Sequence, residues 1–213
     1  MQFLMLKLLS GIALLSICSH SLAKSLTVSD PSGKPLANAV VSIDSAITPE
    51  PGTAVMDQID RQFVPEVLAV PVGTSVSFPN SDNIRHHVYS FSQAKPFEIK
   101  LYSGTASEPV IFDKPGIVAL GCNIHDQMIG YIYVYEESQV YLTDKNGKAE
   151  VPDDVRTVTL WHPDLDIVQS KRETVSLDVN KQSETLVLTL KGVIPVEHEK
   201  KSRTFGSKKF GSE

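Results

Sequence analysis

The sequence has few cysteines, few aromatic residues and no surplus of positive charge. Aromatic residues make up 7% of its 213 residues, and the formal net charge is −5. Without an excess of lysine and arginine to displace counterions from phosphates, nucleic acid is not an expected partner. With 41% hydrophobic and 21% charged residues, most of the chain can still fold around a core, as one large domain or two small ones.

Long apolar runs are also lacking, except at the N-terminus. Residues 1–23 begin with a short basic segment around Lys7, continue with an apolar stretch over 8–17, and end in Ser21-Leu22-Ala23. This pattern predicts a secretory signal peptide that is cleaved after Ala23. Because no second long apolar run follows, we expect a periplasmic or otherwise secreted protein without a transmembrane anchor.

Only two cysteines are present, Cys18 and Cys122. Cys18 lies in the predicted signal peptide, and the bulky Ile17 before it argues against a lipid anchor. The mature chain would then hold one thiol and could form no internal disulfide. A lone thiol in an oxidising compartment is expected to be buried, paired between chains or bound to a metal ion.

Short runs rich in β-branched and aromatic residues recur between Gly, Pro, Asn and Asp. This pattern predicts an all-β protein. The clearest predicted strands are 39–43, 75–78, 117–120, 131–135, 157–161 and 185–190. The stretch 55–61 is the one place where a turn of helix is expected instead.

The chain divides into zones after the signal peptide. Residues 24–48 and 136–192 predict flanking β-sandwich structure, 49–135 a middle domain, and 193–213 a disordered basic tail. The flanking segments, with Asp30 to Val41 and the Thr143-to-Gly147 hairpin, resemble two parts of one sandwich of the transthyretin or carboxypeptidase-regulatory kind. The middle domain would then be inserted into that sandwich. Alternatively, the first segment adds strands to the middle domain and the second stands alone.

The middle zone concentrates metal-binding side chains. Cys122, His125 and Met128 share one tight loop between two predicted strands, and His86 and His87 end an upstream segment. Taken singly, each is more often a buried or surface residue than a ligand. Together, one thiolate, two imidazoles and a thioether form the set that copper prefers, whereas zinc gains little from the thioether.

At these residues the chain resembles the cupredoxins, the small blue copper proteins. The Cys-x2-His-x2-Met loop is similar to the short loop of amicyanin, and Asn80-x-Asp82-x3-His86 is similar to the segment that bears the first histidine in that family and in plastocyanin. The resemblance implies a Greek-key β-sandwich with one mononuclear type 1 copper bound by His86, Cys122, His125 and Met128. His87 stands where the family commonly has Asn, so it is a supporting hydrogen-bond donor or an alternative ligand. The whole chain also resembles exported proteins labelled "methylamine utilization protein".

The implied function is single-electron shuttling between periplasmic redox partners, without substrate chemistry of its own. Four protein ligands leave no open position on the metal. The partner would be a dehydrogenase, a cytochrome c or a reductase that docks near His125, Ile124 and Ile129. The alternatives are copper binding or delivery, or a non-redox binding module that uses the fold as a scaffold. A thiol enzyme built on Cys122 and His125 is a further class.

Overall fold

The computed structural model describes residues 23–47, 49–105 and 108–191. The predicted signal peptide, 1–23, lies outside these residues except for Ala23, and the predicted tail, 193–213, lies wholly outside them. Both stay predictions. Within the described residues the chain is almost entirely β-structure, as predicted, with a single 3-10 turn at Pro163–Leu165. No helix among them is long and apolar enough to cross a bilayer.

The strands are numbered in chain order. They are β1 Ala23–Ser29, β2 Val40–Asp44, β3 Thr53–Val55, β4 Asp57–Ile59, β5 Gln62–Val64, β6 Val67–Pro71, β7 Thr74–Ser77, β8 Pro79–Asn80, β9 His86–Ser90, β10 Phe97–Tyr102, β11 Gly104–Thr105, β12 Val110–Phe112, β13 Gly116–Gly121, β14 Ile129–Tyr135, β15 Ser138–Leu142, β16 Lys148–Pro152, β17 Thr157–Trp161, β18 Glu173–Ser176 and β19 Ser183–Val187. The expectation of a helical turn at 55–61 is wrong, because β3, β4 and a tight turn occupy that stretch. The last predicted strand, 185–190, is present as β19 but starts two residues earlier and ends three residues earlier.

Strand pairing joins the two ends of the chain. β1 lies between β16 and β19, and β2 lies between β15 and β17, with β18 at the edge. The first segment therefore pairs with strands from the C-terminal half and does not extend the middle strands. Leu26, Val41, Leu160 and Leu186 are among the residues that share the core between these two sheets.

Two turns distant in sequence meet within this outer sandwich. The Thr143 hydroxyl donates to the Leu36 carbonyl and accepts the Ala39 amide at 2.9 Å. Gly147 lies in the left-handed region at φ +71, and an added Cβ there would come within 2.4 Å of the Val28 carbonyl oxygen. The short motifs at 30–41 and 143–147 thus support each other because they form one corner of the same sandwich.

The middle strands form three sheets around a second core. The largest has the order β10-β9-β13-β14-β6, and the others are β11-β8-β4-β5 and β12-β7-β3. Strand β14 is buried on both faces: Ile132 and Val134 enter the second core, whereas Tyr131 and Tyr133 face the other way. This explains why it reads as a nearly continuous apolar run rather than an alternating one.

A third, smaller core joins the two parts. Tyr131, Tyr133 and Val67 of the five-stranded sheet pack against Val40 and Trp161 of the outer sandwich. The outer sandwich therefore covers one face of the sheet whose other face and strand ends hold the histidines and the cysteine discussed next.

Candidate metal centre

Strand pairing brings two separate segments to one end of the five-stranded sheet. His86 is the first residue of β9, and Cys122 follows the last residue of β13. These strands are adjacent and antiparallel, and Gly121 is paired with Tyr89. The start of β9 therefore lies beside the end of β13, and residues 36 positions apart in sequence come together.

Two imidazoles face one thiol at this end. The Nδ1 atom of His86 lies 3.9 Å from Cys122 Sγ, and Nδ1 of His125 lies 3.8 Å from the same sulfur. The two rings are 5.0 Å apart between centroids and meet edge to face. One ligand atom from each of the three residues lies within 4.8 Å of the other two. His86 and Cys122 are buried, whereas His125 is partly exposed.

This spacing fits a single metal ion. With an ion about 2.3 Å from sulfur and about 2.05 Å from each nitrogen, an angle of about 120° puts sulfur and nitrogen about 3.8 Å apart. The two observed distances agree with that value, although both are long for a hydrogen bond to sulfur. A thiol and two imidazoles can thus hold one first-row metal ion, and this donor set suits copper or zinc.

The loop between β13 and β14 consists of two successive turns. The His125 amide donates to the Cys122 carbonyl at 3.3 Å, and the Met128 amide donates to the His125 carbonyl at 2.9 Å. Met128 is buried and belongs to the same core cluster as Cys122. The regular three-residue spacing thus turns His125 towards Cys122 and returns Met128 to the interior before β14 starts.

The outer nitrogen of His86 is bound by a carboxylate. Its Nε2 atom lies 2.6 Å from Asp82 Oδ2. Desolvation alone would raise the pKa of Asp82, but hydrogen bonds from the Arg61 amide, His86 and the Asp60 amide outweigh it and hold that pKa below its usual range. Asp82 therefore stays ionised and fixes the orientation of the His86 ring.

Asn80 braces the same loop through its side chain. Its amide nitrogen donates to the carbonyls of Ile84 and Tyr102, both at 2.9 Å, and its Oδ1 accepts the Asp82 amide at 3.1 Å. These three bonds connect the loop before β9 to β10. Asn80 thereby holds both Asp82 and the start of β9 in place.

A half-buried tyrosine lies opposite His86. Tyr102 is the β-pairing partner of His86; its hydroxyl donates to the Phe78 carbonyl and accepts from the Gln58 side chain. Burial raises the pKa of Tyr102 to about 12. The phenol therefore stays neutral at ordinary pH, and it adds no negative charge beside Cys122.

The structure separates the two adjacent histidines. His87 points to the opposite face of β9, where its Nε2 atom lies 2.9 Å from Glu98 Oε1. It is not part of the cluster formed by His86, Cys122 and His125. His86 and His87 thus lie on opposite faces of β9, because successive side chains of a strand point to opposite faces. The ligand role of either histidine stays a prediction.

Sequence reasoning did not identify the hydrogen-bonding roles of Asp82, Tyr102 and Gln58. Asp82 was noted only as part of the segment before His86, although its position four residues earlier was visible. Tyr102 and Gln58 lie 16 and 28 residues from His86 in sequence, and no local pattern links them to it. Only strand pairing brings them to the site.

The comparisons with known proteins were of three kinds. No family model matches the chain, and no curated protein matches it significantly. Among solved structures, a copper-containing nitrite reductase (NirK) from Thermus scotoductus SA-01 is 29% identical with a TM-score of 0.37. That likeness covers 52% of this chain but only 28% of the reductase.

Two smaller proteins match over nearly their whole length. A purple cupredoxin from Nitrosopumilus maritimus is 20% identical with a TM-score of 0.34, covering 39% of this chain and 99% of that protein. A reduced amicyanin variant is also 20% identical, with a TM-score of 0.35, covering 44% and 98%. At these TM-scores the likenesses assign neither a ligand nor an activity to this chain.

Proposed function

We propose that the chain is an exported type 1 copper protein that shuttles single electrons between redox partners. The observation behind the proposal is the convergence of two Nδ1 atoms, at 3.9 and 3.8 Å, on one buried sulfur. His86, Cys122, His125 and Met128 would hold one copper ion, a donor set that suits copper. Bound copper would supply the Cu(I)/Cu(II) couple.

The chain's own residues suit electron transfer better than catalysis. Cys122 and His86 are buried, so water is kept from the sulfur and from one imidazole. Asp82 and Asn80 hold the first histidine in one orientation, so little has to move when the charge of the site changes. With Met128 as a fourth ligand, no position is left for a substrate.

Electrons would pass through the partly exposed His125. Ile124 and Ile129 on either side of it are 49% and 48% exposed. Half-exposed apolar side chains around a redox centre suit a small, transient docking surface. We propose a dehydrogenase, cytochrome c or reductase of the periplasm as the partner, a location that rests on residues 1–23. Replacing both isoleucines with serine should slow electron exchange with a soluble cytochrome c and leave the visible spectrum unchanged.

We also propose that residues 24–48 and 136–192 form one discontinuous module into which the copper domain, 49–135, is inserted. The shared core of Leu26, Val41, Leu160 and Leu186 supports this division. The module would act as a support, since Trp161 packs against the sheet that positions His86 and Cys122.

The decisive experiment adds Cu(II) to the processed, metal-free protein and records its visible spectrum. We expect intense thiolate-to-copper absorption that is lost in Cys122→Ser and His86→Gln but kept in the neighbouring control His87→Gln. Met128→Leu should shift the spectrum and the reduction potential, whereas Met56→Leu, in the same buried core, should not. Both methionine changes conserve volume. Absence of the band would refute a type 1 site; a band without reversible one-electron reduction would favour copper delivery.

A further inference from the structure

The turn between β4 and β5 has an unusual backbone. Asp60 and Arg61 have φ angles of 52° and 60°. Left-handed conformations are unfavourable for residues with a Cβ atom, and such hairpin turns usually contain Asn-Gly or Asp-Gly. Glycine is absent from both central positions here, so the turn needs a contact that offsets the backbone strain.

Asp82 provides that contact. The Asp60 amide donates to Asp82 Oδ1 at 2.7 Å, and the Arg61 amide donates to Oδ2 at 2.9 Å. Both turn amides therefore converge on one carboxylate, which comes from the loop before β9. Charge-assisted hydrogen bonds of this kind are stronger than those between neutral groups.

The same carboxylate also contacts a candidate ligand. Oδ2 of Asp82 lies 2.6 Å from Nε2 of His86, whose Nδ1 lies 3.9 Å from Cys122 Sγ. A carboxylate oxygen at this distance is a hydrogen-bond acceptor, so a hydrogen on Nε2 satisfies the contact. Nδ1 then offers a lone pair on the side of the ring that faces Cys122.

We propose that Asp82 is a positioning residue that couples the β4–β5 turn to the metal centre. It fixes the His86 tautomer on one side and orders the turn amides on the other. A metal ion held at Nδ1 would fix the His86 ring, and with it the hydrogen bond from Nε2 that restrains the Asp82 carboxylate. By thermodynamic reciprocity, metal binding then stabilises the turn, and an ordered turn favours metal binding. The coupling rests on the proposed metal centre but not on its redox role.

The test uses the whole processed protein, metal-free and loaded with Zn²⁺, a diamagnetic ion that binds the same donor types. Nitrogen-15 NMR at a pH well above the ordinary histidine pKa reports the His86 tautomer. Hydrogen exchange reports the Asp60 and Arg61 amides. We expect the Nε2–H form in the metal-free protein and slower exchange of both amides after Zn²⁺ binds.

The key variant is Asp82→Asn. Loss of a carboxylate that orients a ligating histidine typically weakens metal affinity by about 10–100-fold. We expect a loss of this size for Zn²⁺, together with a mixed His86 tautomer and no Zn²⁺-dependent protection of the turn amides. The matched control is Asp57→Asn on the same hairpin, whose carboxylate contacts Ser81 and the Gln58 amide. It should keep both the tautomer and the affinity.

Three results would overturn the coupling: an Nδ1–H tautomer in the unaltered protein, turn amides indifferent to Zn²⁺, or an Asp82→Asn variant that binds Zn²⁺ as tightly as the original. The first two need no variant, so they decide the matter even if Asp82→Asn fails to fold. A chain that shows the coupling with Zn²⁺ but no intense band with Cu(II) would refute the copper function and leave the coupling intact.

Discussion

Trp161 is the residue on which the junction between the two sandwiches depends most. It is fully buried, and its ring lies 5.7 Å from the rings of both Tyr131 and Tyr133. Its Nε1 donates to the Gln169 carbonyl at 2.8 Å. Trp161→Ala would remove all of these contacts at once and leave a cavity between the outer sandwich and the five-stranded sheet.

The expected cost is large. Truncating a buried tryptophan to alanine typically costs about 3–5 kcal/mol. For a protein of this size each kcal/mol lowers the melting temperature by about 2–4 °C, so the expected fall is roughly 6–20 °C. Trp161→Phe keeps most of the packing but leaves the Gln169 carbonyl without its donor, which should cost about 1–3 kcal/mol.

The assay is urea unfolding of the metal-free protein, followed by far-ultraviolet circular dichroism because Trp161 is the single tryptophan. The matched control is Phe91→Ala, since Phe91 is 88% exposed and its loss should change the free energy of unfolding by less than about 0.5 kcal/mol. If Trp161→Ala costs no more than Phe91→Ala, the junction does not depend on this residue.

Other changes test separate features of the structure. Gly121→Ala would place a Cβ 2.7 Å from the Tyr89 ring. It should lower the free energy of unfolding, measured in urea, by about 1–3 kcal/mol. Adding Tyr89→Ala to the same chain should relieve this strain. Lys24 is fully buried, and its ammonium lies 2.9 Å from Glu184. A double-mutant cycle with Lys24→Met and Glu184→Gln should therefore give a coupling free energy of about 0.5–3 kcal/mol. Independent effects of the two changes on the free energy of unfolding would contradict this contact. Burial raises the pKa of Tyr102 to about 12, so the unfolded chain loses this proton first and stability falls as pH rises from about 10 to about 12; Tyr102→Phe should make that fall smaller. Burial lowers the pKa of His162, although Asp164 opposes the shift; stability should therefore fall as pH drops below about 6.5, the ordinary histidine pKa, and His162→Gln should flatten this dependence.

The β class of the fold could be predicted because strand propensity and turn residues are local properties. Strand β17, Thr157–Trp161, begins and ends where the pattern indicates. The prediction of a helical turn at 55–61 was wrong, because a tight turn that lacks glycine and joins short strands has no local sequence signature. Its conformation depends on Asp82, more than 20 residues away, which accepts both turn amides.

For the candidate site, the sequence could predict which residue types take part, but not where all of them lie. The types and spacing of Cys122, His125 and Met128 indicated a metal-binding loop, since those properties are contained in seven consecutive residues. No physical argument from the sequence alone could decide which of His86 and His87 faces the sulfur of Cys122. That choice depends on the phase of β9, which is set by the burial of Val88 in the second core.

By itself the sequence determined the kind of protein: a β-rich, mildly acidic chain with one thiol beyond the predicted signal peptide and a candidate metal-binding loop around it. Tertiary structure decided how the parts work together. Pairing of β9 with β13 brings the imidazole of His86 to the sulfur of Cys122, and Tyr102 reaches His86 only through strand register. Long-range pairing is set by the summed burial of many side chains, and no single segment of the chain contains that information.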